Sequence, residues 1–302
     1  MKGDETYSVS LRGKLFSKKF SPRNINTMKR AVTIQDISCF GKCSITVALP
    51  LISAMGIECA VIPTAVLSTH TGGFTGYTFR DLSSDIPEIT AHWKKEKLAF
   101  DGLYTGYLGS PEQAAMIEQF ADDFKPPLVF VDPVMGDAGK LYAGFDDRIV
   151  TAMKHLCGKA DIIVPNLTEA TFMLGEEFRR PGEYDEAYIR DLLVRLAELG
   201  AKMTALTGVN YDGKTQGVVG YDSTTGEFTE YFAENLPVQC HGTGDVFSST
   251  MFGALILGKS LYDAMKIAVE NTVNCIRCSM GDANHWYGVK FEECIPDLIK
   301  MI

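Results

Sequence analysis

The sequence predicts an α/β fold with a mostly parallel sheet, helices packed on it and an antiparallel hairpin at one edge. Three observations predict it. Short apolar runs of strand length alternate with amphipathic stretches of helix length over residues 31–206. The character then changes from Tyr211 to Phe232, where Gly-rich turns separate two runs that alternate as strands do. Helical stretches at 245–257, 260–279 and 289–301 close the chain.

In order, the apolar run Ala31–Gln35 reads as a first strand and the stretch Ser44–Met55 as the helix after it. Cys59–Val66 and Pro87–Lys97 form the next strand–helix unit, Phe100–Thr105 and Pro111–Asp123 the third, and Leu128–Val131 and Asp147–Cys157 the fourth. The fifth strand, Ile162–Val164, precedes helices at Thr168–Leu174 and Asp185–Leu199, and Met203–Leu206 is the sixth strand. Strands alternating with helices of this length imply βαβ units and a parallel sheet. Gln216–Tyr221 and Glu227–Phe232 then pair as the edge hairpin. No internal repeat, low-complexity tract or linker follows residue 30, so residues 31–302 read as a single domain.

Composition is that of an ordinary globular chain of 302 residues, 46% hydrophobic and 22% charged. No apolar run reaches the roughly 18–20 residues that span a bilayer, so no membrane partner is expected. A net charge of −9 argues against nucleic acid as the main partner. The charge is uneven: residues 1–30 carry +6 and the remainder −15. Met28-Lys29-Arg30-Ala31 reads as a natural start into the first strand, which makes residues 1–30 a basic N-terminal extension with its first 27 residues disordered. This leader lacks the apolar core of a secretory signal. The eight cysteines are therefore expected as thiols in a cytoplasmic protein. Cys275-Ile276-Arg277-Cys278 has metal-ligand spacing, but it lies in a helical run without a second Cys/His pair, and no metal is expected there.

The most informative stretch is Cys240-His241-Gly242-Thr243-Gly244-Asp245-Val246-Phe247. It places two glycines and a carboxylate where a strand-like segment gives way to a helix. Glycines let backbone N–H groups turn toward an anion without a Cβ in the way. A helix start adds unpaired N–H groups and the positive end of the dipole. An aspartate beside such an anion hole could take a proton from an attacking hydroxyl. These eight residues are equally readable as an N-cap, because Thr243 and Asp245 both cap helices well.

Ligands of open parallel sheets bind beyond the carboxyl ends of the strands. Those ends carry Asp36, then Ser68-Thr69-His70-Thr71, Tyr107, Asp132 with Asp137, Asn166 with Glu169, and Thr207-Gly208. Each alone is an unremarked turn or cap residue. Together with Asp245 they assemble the polar groups of one site.

Gly242-Thr243-Gly244-Asp245, with Asp132-Pro133-Val134-Met135-Gly136-Asp137 and Pro165-Asn166-Leu167-Thr168-Glu169-Ala170, resembles the ribokinase-like superfamily. Ser68-Thr69-His70-Thr71-Gly72 and Thr105-Gly106-Tyr107 bring the resemblance nearest to its pyridoxal kinase branch, over residues 31–280. The resemblance implies a three-layer α/β/α sandwich and transfer of the γ-phosphate of ATP to the 5′-hydroxyl of pyridoxal, pyridoxine or pyridoxamine. It makes Asp245 the general base and the N–H groups of Gly242, Thr243 and Gly244 the anion hole. It assigns Asp132, Asn166 and Glu169 to Mg²⁺, partly through water, and Asp137, Asn166, Glu169, Thr207, Gly208 and Tyr142 to the nucleotide. On the acceptor side it places Asp36, His70, Thr71 and Tyr107. Tyr107 would border the ring, and His70 would hydrogen-bond a substituent or serve only as a satisfied turn histidine. A monovalent cation such as K⁺ and a homodimer are further implications.

One departure stands out. Pyridoxal kinases often carry Gln-Ser-His after the first strand, where this chain has Gln35-Asp36-Ile37-Ser38. A carboxylate at Asp36 favours an acceptor that carries a donor or a positive charge, such as pyridoxamine. The nearest alternative is the hydroxymethylpyrimidine (phosphate) kinase of thiamine synthesis, which usually has Asp-Pro-Ser-Gly-Gly after its first strand. Asp36-Ile37-Ser38-Cys39-Phe40-Gly41 keeps the Asp without the Pro and paired glycines. A nucleotide-sensing protein without catalysis would have lost the base or the metal carboxylates, and Asp245, Asp132 and Glu169 are all present.

Overall fold

The computed structural model describes residues 10–11, 14–15, 28–238 and 240–302. The expected disorder of residues 1–27 lies outside the described residues, apart from β1 (Ser10–Leu11) and β2 (Lys14–Leu15), which pair antiparallel. The alternating units follow as β3 (Arg30–Ser38), α1 (Ile45–Ala54), β4 (Glu58–Leu67), β5 (Phe79–Asp81), α2 (Asp85–Lys95), β6 (Gly102–Thr105), α3 (Pro111–Phe124) and β7 (Val129–Val131). A two-stranded ribbon, β8 (Gly136–Asp137) and β9 (Lys140–Leu141), precedes α4 (Asp147–Cys157). Then come β10 (Ile162–Ile163), α5 (Leu167–Leu174), α6 (Glu186–Ala197), β11 (Met203–Val209), β12 (Thr215–Asp222) and β13 (Glu227–Glu234). The chain closes with α7 (Thr243–Ile256), α8 (Leu261–Ser279) and α9 (Phe291–Met301).

Among the described residues the main sheet has nine strands in the order β13-β12-β11-β10-β7-β6-β3-β4-β5. The six central strands are parallel, and β12 and β13 form the expected antiparallel edge. The opposite edge is antiparallel too, through β5. That strand went unread because Phe79-Arg80-Asp81 is three exposed residues with no apolar pattern.

Both faces of the central sheet are buried, so successive strand residues enter opposite cores. Val32, Leu103, Val131, Ile163 and Leu206 face one layer of helices, with Ile117 of α3, Met153 of α4 and Leu192 of α6. Ala31, Tyr104, Phe130, Ile162 and Ala205 face the other, with Leu51 of α1, Phe252 of α7 and Ala268 of α8. This is the three-layer sandwich. Helix α7 is apolar nearly all round because it packs against both α1 and α8. Most helices facing solvent begin on side-chain caps: Ser110 for α3, Asp146 for α4, Asp185 for α6 and Ser260 for α8. No helix among the described residues is long and apolar enough to cross a membrane.

Two boundaries differ from expectation in ways that touch the site. Strand β3 runs on to Ser38, so Asp36 lies inside the strand rather than after it. Helix α7 starts at Thr243 rather than at residue 245, so Gly242 is its cap and Thr243 its first residue.

Candidate active site

Strand β3 pairs with β4 on one side and β6 on the other. The chain leaves β3 in one direction and resumes beyond it in the opposite one, which opens a crevice past the carboxyl ends of β3 and β6. Asp36 sits at this point. Gln35 faces Pro63 while Ile37 faces Val66, so β4 carries an extra residue opposite Asp36 and bends there. Its carboxylate is buried and accepts a hydrogen bond from Ser38 Oγ at 3.0 Å. Tyr107 follows β6, with its ring stacked on Phe145 at 5.4 Å between centroids. Burial and the Asp36 charge together push its phenol up to about 12.

The start of α7 closes the crevice. Gly242 has φ +80°, and a Cβ there would strike the Lys42 carbonyl oxygen of the β3–α1 loop. Only glycine satisfies both conditions. No side chain caps the helix, because the Thr243 hydroxyl donates backward to the Cys240 carbonyl at 3.3 Å. Among the described residues no acceptor meets the N–H groups of Thr243 and Gly244. The choice left open by the motif is thereby resolved in geometry: the turn is a glycine cap whose N–H groups stay free at the positive end of a 14-residue helix.

Four carboxylates converge on this helix end. Asp245 lies in the first turn of α7, partly exposed but surrounded by protein. Burial pushes it up to about 8, with Asp132 and Asp36 adding repulsion and the Ser44 N–H opposing. Asp132, beyond β7, is buried and accepts from Ser248 Oγ of α7 at 2.6 Å. Asp132 and Glu169 are both raised, mainly by burial, and the Asp132 charge also acts on Glu169. Glu169 is held by N–H groups of Asn166 at 2.8 Å and Met135 at 3.1 Å. Among the described residues none of Asp36, Asp132, Glu169 and Asp245 has an ion-pair partner.

Around them stand the remaining expected residues. Asn166 forms a capping box with Glu169 at the start of α5, and its amide also donates to the Gly136 carbonyl at 2.9 Å. It therefore positions Glu169 while keeping one amide proton and one lone pair free. Tyr142, from the β8–β9 ribbon region, lies in the field of Glu169, Asp137, Asp132 and Asp245. Asp137 is exposed on β8. Thr207 bridges to Asn166 across the sheet, and Gly208 follows at φ +73° where the β11–β12 register slips. Thr71 is exposed on the loop after β4.

His70 does not offer the expected hydrogen bond to a ring substituent. Its Nδ1 accepts from the Gly72 N–H at 3.1 Å, so Nε2 carries the proton and donates to the Tyr287 carbonyl at 2.7 Å. With both nitrogens taken, His70 is a neutral turn histidine that ties the β4–β5 loop to the α8–α9 loop. Its ring still borders Phe74 and His241 at 5.0 and 5.1 Å.

Ser44 is the residue that sequence reasoning missed. Its backbone is at φ +57°, ψ −133°, a region that costs a non-glycine residue about 1–3 kcal/mol. It occupies the cap position of α1 without capping it. Instead its hydroxyl opposes the rise of Asp36 and its N–H opposes the rise of Asp245. A serine before an apolar helix reads as a cap, so nothing in the sequence marks this second use. A separate concavity of about 530 Å³ beside the α5–α6 connection, lined by Glu176, Phe178, Arg179, Tyr188 and Asp191, holds none of the converging carboxylates.

The raised Asp245 makes a signed prediction. Ionising a group whose folded pKa exceeds its unfolded value costs stability, so the cost begins near pH 4 and is complete above about pH 8. In the ligand-free protein, Asp245→Asn removes that cost. The Tm advantage of the variant over the parent grows by at least about 3 °C between pH 5 and pH 8 in differential scanning calorimetry. An advantage that is flat or shrinks over this range contradicts the assignment.

Comparison with known proteins converges on the same chemistry. Residues 43–289 match the family model described as phosphomethylpyrimidine kinase. The chain is 27% identical over 282 residues to the thiamine biosynthetic bifunctional enzyme TH1 of Arabidopsis thaliana, covering 88% of this chain but only 52% of that protein. A Bacteroides thetaiotaomicron protein whose proposed identity is phosphomethylpyrimidine kinase, solved in a form with pyridoxal, superposes with a TM-score of 0.85 at 35% identity, covering 90% of this chain and 96% of that one. The pyridoxal kinase of Lactobacillus plantarum superposes with a TM-score of 0.84 at 30% identity, covering 91% and 98%. The family thus carries the name of the pyrimidine alternative and includes relatives of the pyridoxal kinase kind. This chain belongs to the phosphomethylpyrimidine kinase family, on the ribokinase-like fold, and is a phosphotransferase with an alcohol group as acceptor.

Proposed function

We propose that the chain transfers the γ-phosphoryl group of ATP to the 5′-hydroxyl of a B6 vitamer: pyridoxal, pyridoxine or pyridoxamine. The observation that carries the reading is the uncapped start of α7 beside Asp245, facing buried carboxylates that lack a protein cation among the described residues. The likeness to the Bacteroides structure with pyridoxal supports the acceptor class.

The residues divide the work as follows. The acceptor hydroxyl lies between Asp245 and the γ-phosphate, and Asp245 takes its proton as the oxygen attacks. A carboxylate raised to about 8 is well matched to that task near neutral pH. The free N–H groups of Gly242, Thr243 and Gly244 stabilise the charge spread over the transferring phosphoryl oxygens. Tyr107 and Asp36 border the acceptor ring. Asp137, Tyr142, Thr207 and Gly208 border the nucleotide.

Asp132 and Glu169 fit a divalent cation such as Mg²⁺. Both are hard oxygen donors, both are buried, and each repels the other. No third His, Cys, Asp or Glu closes a cluster with them among the described residues, which suits an ion that keeps several waters. When bound, Mg²⁺ supplies charge neutralisation for the phosphates. The oxygens of Asp132 and Glu169 would hold it, and Ser248 and Asn166 orient those oxygens. A homodimer in the cytoplasm belongs to the same reading.

A second reading, phosphorylation of hydroxymethylpyrimidine or its phosphate, is favoured by the family description and by the Arabidopsis relative. The mechanism is shared and only the ring differs. ATP turnover with Mg²⁺ and each of the three vitamers, hydroxymethylpyrimidine and hydroxymethylpyrimidine phosphate separates the two. The highest kcat/KM is expected with a vitamer, and a pyrimidine in first place establishes the second reading instead.

With the best acceptor, Asp245→Ala is expected to lower kcat at least about 100-fold. A variant that keeps most of the parental rate means that Asp245 is not the base. Asp36 favours an acceptor with a cationic substituent, so the parent prefers pyridoxamine over pyridoxal. Asp36→Ser is expected to reduce that kcat/KM ratio about tenfold, equivalent to about 1.4 kcal/mol. An unchanged ranking removes Asp36 from specificity.

A further inference from the structure

The end of α8 and the start of α9 bring three thiols together away from the active site. Cys275 and Cys278 lie one turn apart on α8, and Cys294 lies in the first part of α9. Cys278 Sγ and Cys294 Sγ are 3.3 Å apart. That is direct sulfur–sulfur contact, about 1.3 Å longer than a disulfide bond. The two thiols differ in access: Cys278 is exposed, whereas Cys294 is 2% exposed and Cys275 is fully buried. The Lys290 ammonium lies in the field of Cys278 and ion-pairs with Asp282 at 2.6 Å. The CxxC spacing alone pointed to no metal partner; what the fold adds is Cys294, from a helix 16 residues on.

We propose that Cys278 and Cys294 are a peroxide-reactive dithiol that closes to a disulfide. The Cys278 thiolate attacks one peroxide oxygen, the O–O bond breaks, and hydroxide leaves and is protonated to water. The product is a sulfenic acid on Cys278. Cys294 Sγ then attacks Cys278 Sγ, the S–O bond breaks, and the departing hydroxide takes the Cys294 proton as a second water. Two thiols and one hydrogen peroxide give one disulfide and two waters, with two electrons passing from sulfur to peroxide.

The bond would enclose residues 279–293, and that segment leans on the active-site loops. The Tyr287 carbonyl accepts from His70 at 2.7 Å, and the Val289 N–H donates to the His241 carbonyl at 3.2 Å. Gly288, at φ +149°, packs against the Lys42 side chain. Closing the ring restrains the segment that seats these contacts.

The test uses the full chain with hydrogen peroxide at a few equivalents, followed by thiol counting under denaturing conditions and peptide mapping. Two of the eight thiols are expected to disappear, with a Cys278–Cys294 linked peptide that dithiothreitol releases. Cys278→Ser, at an exposed position, abolishes the link. Cys294→Ser leaves a Cys278 sulfenic acid that dimedone traps, and Cys275→Ser still gives the same link. Amide hydrogen exchange in residues 280–290 is expected to slow at least about tenfold in the oxidised protein. Retention of all eight thiols, a linked peptide with another pair, an intermolecular Cys278 dimer, or one equivalent of zinc on the purified protein overturns the proposal. Unchanged exchange in the loop overturns its coupling to the active-site loops.

Discussion

The structure turns on carboxylates drawn into the protein that, among the described residues, have no protein cation to relieve them. Asp36, Asp132, Glu169 and Asp245 come from β3, the ends of β7 and β10, and the start of α7, and burial raises all four. Such a cluster costs stability in the ligand-free protein. It persists because the surrounding fold over-determines it. Ser38, Ser44 and Ser248 supply hydroxyls, the Asn166 capping box holds Glu169, and the α7 N-terminus adds its positive dipole. The site therefore holds an unmet demand for positive charge and protons. In the proposed reaction a cation-bound polyphosphate and an attacking hydroxyl would supply both.

Positioning follows from the sandwich. Burial on both faces forces each central strand to send alternate residues into two cores, which leaves only strand ends to carry polar groups. The reversal of direction at β3 places Asp36 and Tyr107 on one side of the crevice. The later strands place Asp132, Asn166 with Glu169, and Thr207 on the other. Helix α7 carries Asp245 in its first turn, while Ser248, one turn on, holds Asp132. Asp245 on α7 and Asp132 beyond β7 are thus linked through one helix, and a displacement of α7 disturbs both.

What was legible in the sequence was what local chemistry encodes. The six parallel strands were apolar runs because both faces are buried, and the amphipathic helices beside them have one wet face. The glycines of the Gly242–Asp245 turn marked a backbone that only glycine adopts, and the strand-end acids marked the crevice. What was not legible depends on tertiary partners. The short edge strand β5 has no pattern of its own, and its existence rests on pairing with β4. His70 looked like a ligand because its partners, Gly72 N–H and the Tyr287 carbonyl, include one 217 residues away. Ser44 looked like no more than a helix start because its left-handed backbone appears only in the folded chain. The Cys275–Cys278 pair looked isolated because Cys294 arrives only when α9 packs back on α8.

The central claim is that burial and its neighbours hold Asp245 far above the ordinary aspartate range, so that its ionised form is a strong acceptor for the proton of an attacking hydroxyl. The measurement that tests it most directly is a carbon-13 NMR titration of the aspartate carboxyl groups in the ligand-free protein, with Asp245→Asn identifying the resonance. The account predicts a carboxyl that titrates near pH 8 and is missing from the variant. A resonance for Asp245 that titrates near pH 4, the ordinary range of an exposed aspartate, contradicts it.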